Sequence, residues 1–210
     1  LNRLTSVNDL NSALVAAYSY DGTGNRLSKQ TSSGTKLYTY PLNSHELIND
    51  GTASRSYDAA GNTTAIGVQQ FHYDVTGRMC GSGTSINNSC AGTNTTKYWY
   101  NWQGQRVRKA LNGNIAATQV NTTYDASGRP LSEFRTLQAN GSGYLREFIW
   151  MDDLPVGVLN GTSRALGYVE PDHLGTPRTV IDAANDAVVW QWNPVNDPFG
   201  ESQPVVTADA

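Results

Sequence analysis

The sequence predicts an all-β protein built of antiparallel hairpins, on three observations. Composition is the first: 77 of the 210 residues are Gly, Asn, Thr or Ser, types that favour turns and strands and disfavour helix interiors. The second is a Tyr-Asp-x-x-Gly string that returns along the chain. The third is alternation of aromatic residues with a period of two. Tyr38 pairs in this way with Tyr40, Phe71 with Tyr73, and Tyr98 with Tyr100 and Trp102, which places each set on one face of a strand.

The string occurs five times, at Tyr20-Asp21-Gly22-Thr23-Gly24-Asn25, Tyr57-Asp58-Ala59-Ala60-Gly61-Asn62, Tyr73-Asp74-Val75-Thr76-Gly77-Arg78, Tyr100-Asn101-Trp102-Gln103-Gly104-Gln105 and Tyr124-Asp125-Ala126-Ser127-Gly128-Arg129. A single copy is an ordinary turn, but five within 105 residues are a repeat with elastic spacing. The physics is that of a hairpin tip. Tyr ends the incoming strand, and the Asp or Asn side chain accepts from backbone N–H groups ahead of it. Gly in the left-handed region supplies the bulge that suits strand twist. Arg-Leu or Arg-Val then opens the outgoing strand. Further strands are expected at 145–150 and 188–192. The chain reads as hairpins over 1–145 and a C-terminal segment over 146–210. Leu1-Asn2-Arg3-Leu4-Thr5 matches the second half of a copy, so the chain is expected to start inside a repeat of a longer polypeptide.

Charge excludes several functions. Lys plus Arg number 15 and Asp plus Glu 18, for a net charge of −3, and the Arg residues are dispersed. No basic stripe is available to follow a nucleic-acid backbone. The longest apolar run, 14–18, is far short of the ~20 residues that a spanning helix needs. Five Trp, 11 Tyr and four Phe supply too much core material for a disordered chain.

Cys80 and Cys90 flank a polar nine-residue loop, a spacing that permits a disulfide kept only in an oxidising compartment. Two separate free thiols are the alternative. Without a neighbouring His they make a poor zinc site, and no cofactor is expected.

Five other groups invite a chemical reading. Asp172, His173 and Arg178, with Glu170 nearby, resemble a general-base cluster, yet no Ser or Cys stands in a nucleophile-elbow setting. A structured turn explains them more simply: Asp172 caps it, Gly175 supplies a permissive backbone and Pro177 fixes the chain. Asp152 and Asp153 could be half of a glycosidase pair, but adjacent strand residues face opposite ways, so a hairpin tip is expected. Asp21 to Asn25 lacks the spaced carboxylates of a calcium loop. His45 and His72 are isolated and suggest no metal. The stripe from Tyr98 to Trp102 could stack sugar rings, although such stripes are more often cross-strand pairs.

With these strings in place, the chain resembles the Rhs/YD-repeat family. Phe148-Ile149-Trp150-Met151-Asp152-Asp153-Leu154-Pro155-Val156 is similar to that family's strand leading into an Asp-x-x-Pro-Val turn. Asp172-His173-Leu174-Gly175-Thr176-Pro177-Arg178 is similar to its most recognisable string, and Asn196-Asp197-Pro198-Phe199-Gly200-Glu201 to the run-up to its core region. The resemblance implies a long sheet of hairpins wound spirally into a hollow shell. In bacterial members the shell encloses a C-terminal toxin, delivered by a secretion apparatus or within an insecticidal toxin complex. Teneurins use related shells for adhesion. The family's aspartyl self-cleavage string Asp-Pro-x-Gly-Leu-x-Gly-Gly is absent from residues 1–210, so no catalytic residue is carried over. The expectation is a non-enzymatic shell segment, secreted or at the bacterial surface. Its partners would be the rest of the same polypeptide and an enclosed toxin. The alternative is an exposed module that binds glycan or a cell-surface protein.

Overall fold

The computed structural model describes residues 3–84, 90, 96–111, 119–135, 143–161, 163–192 and 199–207. Among the described residues there are eighteen β-strands and no helix. Within each compact unit of the chain, every strand pairing among the described residues is antiparallel. The fold is all-β, as the composition and alternation require.

The chain divides into two compact units, Leu1–Cys90 and Ala91–Pro194 with Phe199–Ala210. The first opens with β1 (Ser6–Asn8), β2 (Leu14–Tyr20), β3 (Arg26–Thr31) and β4 (Gly34–Leu37), hydrogen-bonded in that order. A second run, β5 (Arg55–Tyr57), β6 (Thr63–Ile66), β7 (Gln69–Tyr73) and β8 (Met79–Gly83), pairs likewise. Isolated bridges from Thr39 to Asn49 and from Asn49 to Ser54 join the two runs. The Asp50–Arg55 ion pair at 2.9 Å closes the intervening turn.

The second unit is a plain meander of β9 (Thr96–Tyr100), β10 (Arg106–Ala110), β11 (Val120–Tyr124), β12 (Pro130–Arg135), β13 (Tyr144–Met151), β14 (Leu154–Asn160), β15 (Ala165–Pro171), β16 (Pro177–Asp182), β17 (Val188–Gln191) and β18 (Val205–Val206). Each strand pairs with the next. The boundary read from the sequence at 145/146 falls inside β13. Pairing continues through it, Phe134 opposite Leu145.

Among the described residues of each unit, substantial strand contacts are made only between sequence neighbours. Few side chains are therefore covered. Among the described residues the fully buried apolar ones are Ala16, Tyr18, Tyr38, Ala110, Val158 and Val189. Where strands must close tightly, glycine allows it: a Cβ on Gly167 would stand 2.7 Å from Val180 Cγ1 on the next strand. One expectation is corrected here. The aromatic stripe stops at Tyr100, the end of β9, because Trp102 lies in the turn and is 87% exposed. Turn geometry takes over from strand alternation at Asn101.

Candidate functional site: the hairpin tips

The repeated string forms the hairpin tips, and the structure gives each of its letters a task. Number the tip from its Asp or Asn, so that Tyr is position 0, Gly position 4 and the following residue position 5. At all five copies the Gly N–H donates to the carbonyl of position 1, and the position-1 N–H donates to the carbonyl of position 5. The glycines Gly24, Gly61, Gly77, Gly104 and Gly128 have φ between 77° and 110°, the left-handed region where a Cβ costs energy. The strand register shifts at Tyr20, Tyr57, Tyr73 and Tyr124, which marks the bulge.

Position 1 organises the loop. Asp74 Oδ1 accepts from the Thr76 N–H at 2.8 Å, the Thr76 hydroxyl at 2.6 Å and the Arg78 N–H at 3.0 Å. Asp58 Oδ1 accepts from the Ala60 and Asn62 N–H groups, each at 2.9 Å. Asp21 and Asp125 do the same with Thr23, Gly24 and Asn25, and with Ser127 and Arg129. Asn101 replaces the carboxylate in the fourth copy and still accepts from the Gln105 N–H at 2.9 Å.

These hydrogen bonds favour the charged carboxylate. The Asn62 side chain, then its N–H, lowers the Asp58 pKa. The Thr76 hydroxyl leads at Asp74 and the Arg129 N–H at Asp125. At Asp21 desolvation pushes upward, but the Thr23, Asn25 and Gly24 donors together hold the carboxyl far below its ordinary range.

Position 5 faces two ways. Its side chain bonds the second oxygen of its own position 1, as Asn25 does to Asp21 and Arg129 does to Asp125. It also reaches the next turn: Asn25 Nδ2 donates to the Ser44 carbonyl at 3.2 Å, and Arg129 Nη1 donates to the Asp152 carbonyl. His45 Nδ1 meets Asn25 Oδ1 at 2.7 Å, so this His is part of a tip contact.

Position 0 explains the tyrosine. The Tyr73 hydroxyl donates to the carbonyl of Thr63 at 3.0 Å, and that of Tyr124 to Arg106 at 2.9 Å. Both acceptors are the first outgoing residue of the preceding tip. Tyr40 makes the same bond to Arg26, and Trp150 Nε1 makes it to Pro130 at 2.8 Å. Tyr57 and Tyr20 reach the nearby carbonyls of Leu47 and Leu4. A phenol spans the two strands between consecutive tips, which a shorter hydroxyl cannot do. Burial, reinforced by the Asp58 charge, pushes the Tyr73 pKa up and keeps it a proton donor.

Asp172, His173, Gly175, Pro177 and Arg178 turn out to form another tip of this kind. The Gly175 N–H donates to the Asp172 carbonyl, and the Asp172 N–H to the Thr176 carbonyl, both at 2.9 Å. Asp172 Oδ1 accepts from the Leu174 and Thr176 N–H groups, while Arg178 Nε and Nη2 hold Oδ2 at 2.8 and 2.7 Å. The Thr176 N–H, against some desolvation, and then Arg178 lower its pKa to about 2. The carboxylate is committed to the loop, and His173 stands exposed at position 2. Asp152 and Asp153 occupy a two-residue turn between Met151 and Leu154. Asp153 is 98% exposed at the side chain and lies 3.6 Å from Arg129.

Two tips escaped the sequence reading. Asp9 closes a loop on Ala13, with Ser12 at φ 66° in the glycine place. Asp182 closes a loop one residue longer on Ala187, with Asp186 at φ 57°. Neither has Tyr or Gly, but an Asp between two β-rich runs with Asn two or three residues ahead, Asn11 and Asn185, was the available signal. Cys80 and Cys90 form a disulfide with Cα atoms 5.6 Å apart. Among the described residues no His, Cys, Asp and Glu cluster could hold a metal ion, and no helix is long and apolar enough to cross a membrane. Asn196, Asp197 and Pro198 lie outside the described residues.

No family model matches the chain, and no curated protein matches it. Solved structures do. A crystal structure of TcdB2-TccC3-Cdc42 aligns over 75% of this chain at 13% identity with a TM-score of 0.45. One of TcdB2-TccC3 without its hypervariable C-terminal region aligns over 80% at 13% identity and the same TM-score of 0.45. The chain spans about 10% of the length of each of those structures.

Proposed function

We propose that this chain is a wall segment of a larger β-shell, with a containing and not a catalytic role. One observation carries the reading: the chemically capable groups of the repeat are spent on joining hairpins. Position 1 closes its own loop, while positions 0 and 5 reach neighbouring turns. Such a unit can be added side by side without limit, which is what a wall requires. The sparse burial agrees with this, since a single-layer sheet exposes apolar side chains that an assembled shell would cover. On this reading the partners are the remainder of the same polypeptide and an enclosed toxin or effector. The disulfide supports a secreted or surface location.

Limited proteolysis of the native full-length polypeptide, read by mass spectrometry, tests the proposal. Enclosed sequence should survive until the repeat region itself unfolds. Immediate digestion of flanking sequence while residues 3–207 persist would overturn containment.

The 87% exposure of Trp102 at a tip favours a second reading, an exposed module that stacks on glycans. It predicts saturable binding to a glycan panel that Trp102→Ala abolishes. No binding across the panel rejects it.

A further inference from the structure

The second unit carries an apolar groove of about 470 Å³ lined by Phe148, Val158, Val169, Val180, Trp190 and Val206, among others. Five of these six stand on β13 to β17. The sixth, Val206, belongs to β18, a strand of only two residues, Val205 and Val206, both exposed. β18 is held by its pairing of Trp190 with Val206 and Gln191 with Val205, and by the Thr207 N–H donating to the Val189 carbonyl at 3.0 Å. A strand this short, with so little buried surface, belongs at the low end of local opening free energies.

A second contact compensates. The Arg178 guanidinium, fixed by two nitrogens to Asp172, lies 4.3 Å from the ring centroid of Trp192. On the same ring sits Gly200, at φ 71°, where a Cβ would come within 2.7 Å of Trp192 Cζ2. Trp192 Nε1 is buried and makes no hydrogen bond, so the ring is held by stacking and packing alone. Asp172, Arg178, Trp192 and Gly200 thus form one stack from a hairpin tip to the segment that leads into β18.

We propose that residues 199–207 are a strap that gates this groove, opening apart from the rest of the second unit and clamped shut by that stack. Lifting the strap removes the Val206 wall and frees the edge of β17. The clamp depends on two features that can be altered: the bare backbone at Gly200 and the planar fork of Arg178, which both stacks and chelates.

Hydrogen exchange on the unmodified full-length polypeptide tests the gate without any variant. The Thr207 amide, which donates to the Val189 carbonyl in the closed strap, should exchange at least about tenfold faster than that of Val180, by an opening that does not expose the central strands. In parallel, Gly200→Ala should raise the fluorescence of the apolar dye ANS and speed cleavage within 199–207, with the global melting transition unchanged. Oxidation of a Gln191→Cys/Val205→Cys pair placed on these registered partners should cancel the dye signal, and reduction should restore it. Exchange of the Thr207 amide at the rate of Val180, or a dye signal that rises only with global unfolding, overturns the gate.

Discussion

Tyr73 shows at residue scale why the repeat is spelled as it is. Its hydroxyl satisfies the Thr63 carbonyl on the adjacent strand, and Tyr73→Phe removes that donor while keeping the ring. The expected loss is about 1 kcal/mol, measured by denaturant unfolding, with a similar loss for Tyr124→Phe. Equal stability of both variants with the parent would show that the hydroxyl is dispensable. Ser12 is the converse case, a side chain held at φ 66° where other tips have glycine. Ser12→Gly relieves that strain but adds freedom to the unfolded chain, so a net gain below about 1 kcal/mol is expected. A lower melting temperature would contradict it.

The tips as elements carry the acid response. Asp172 has its folded pKa depressed from 3.8 to about 2, and Asp21, Asp58, Asp74 and Asp125 are lowered in the same direction. A depressed carboxyl stabilises the fold above its unfolded pKa, and that contribution fades as pH falls through the folded value. Stability should therefore be level near neutrality and decline from about pH 4 toward 2, followed by circular dichroism. Asn101 shows that the amide can build the same tip without a charge. Asp58→Asn and Asp74→Asn should each flatten the acid decline, whereas an unchanged acid profile would remove the tips as its cause. Gly77 isolates the backbone contribution, because nothing lies within 4 Å of a Cβ placed there. Gly77→Ala should cost about 1–2 kcal/mol through φ alone.

At the scale of the whole molecule, the described strands of each unit contact chiefly their sequence neighbours, leave apolar side chains uncovered and end in edge strands. Unpaired edges template further strands, so residues 1–210 expressed alone should associate. Light scattering that showed a monodisperse monomer would contradict this. The Cys80–Cys90 disulfide closes a separation of ten residues, and its reduction should cost the folded state about 2–3 kcal/mol.

By itself the sequence determined the fold class, the strand–turn–strand rhythm and the five Tyr-Asp tips, because turn chemistry and period-two alternation are local. Position 1 was legible for the same reason: Asp reaches backbone donors only two to four residues ahead. The purpose of Tyr and of position 5 was not legible, since their acceptors lie 10 to 23 residues away in spacing that varies from copy to copy. Local pattern did read Asp172, Gly175 and Pro177 as a structured turn, but it did not separate a strand aromatic from a tip aromatic at Trp102. Hydrogen bonding between neighbouring hairpins decides the roles of Tyr and position 5, and it exists only once the hairpins lie side by side.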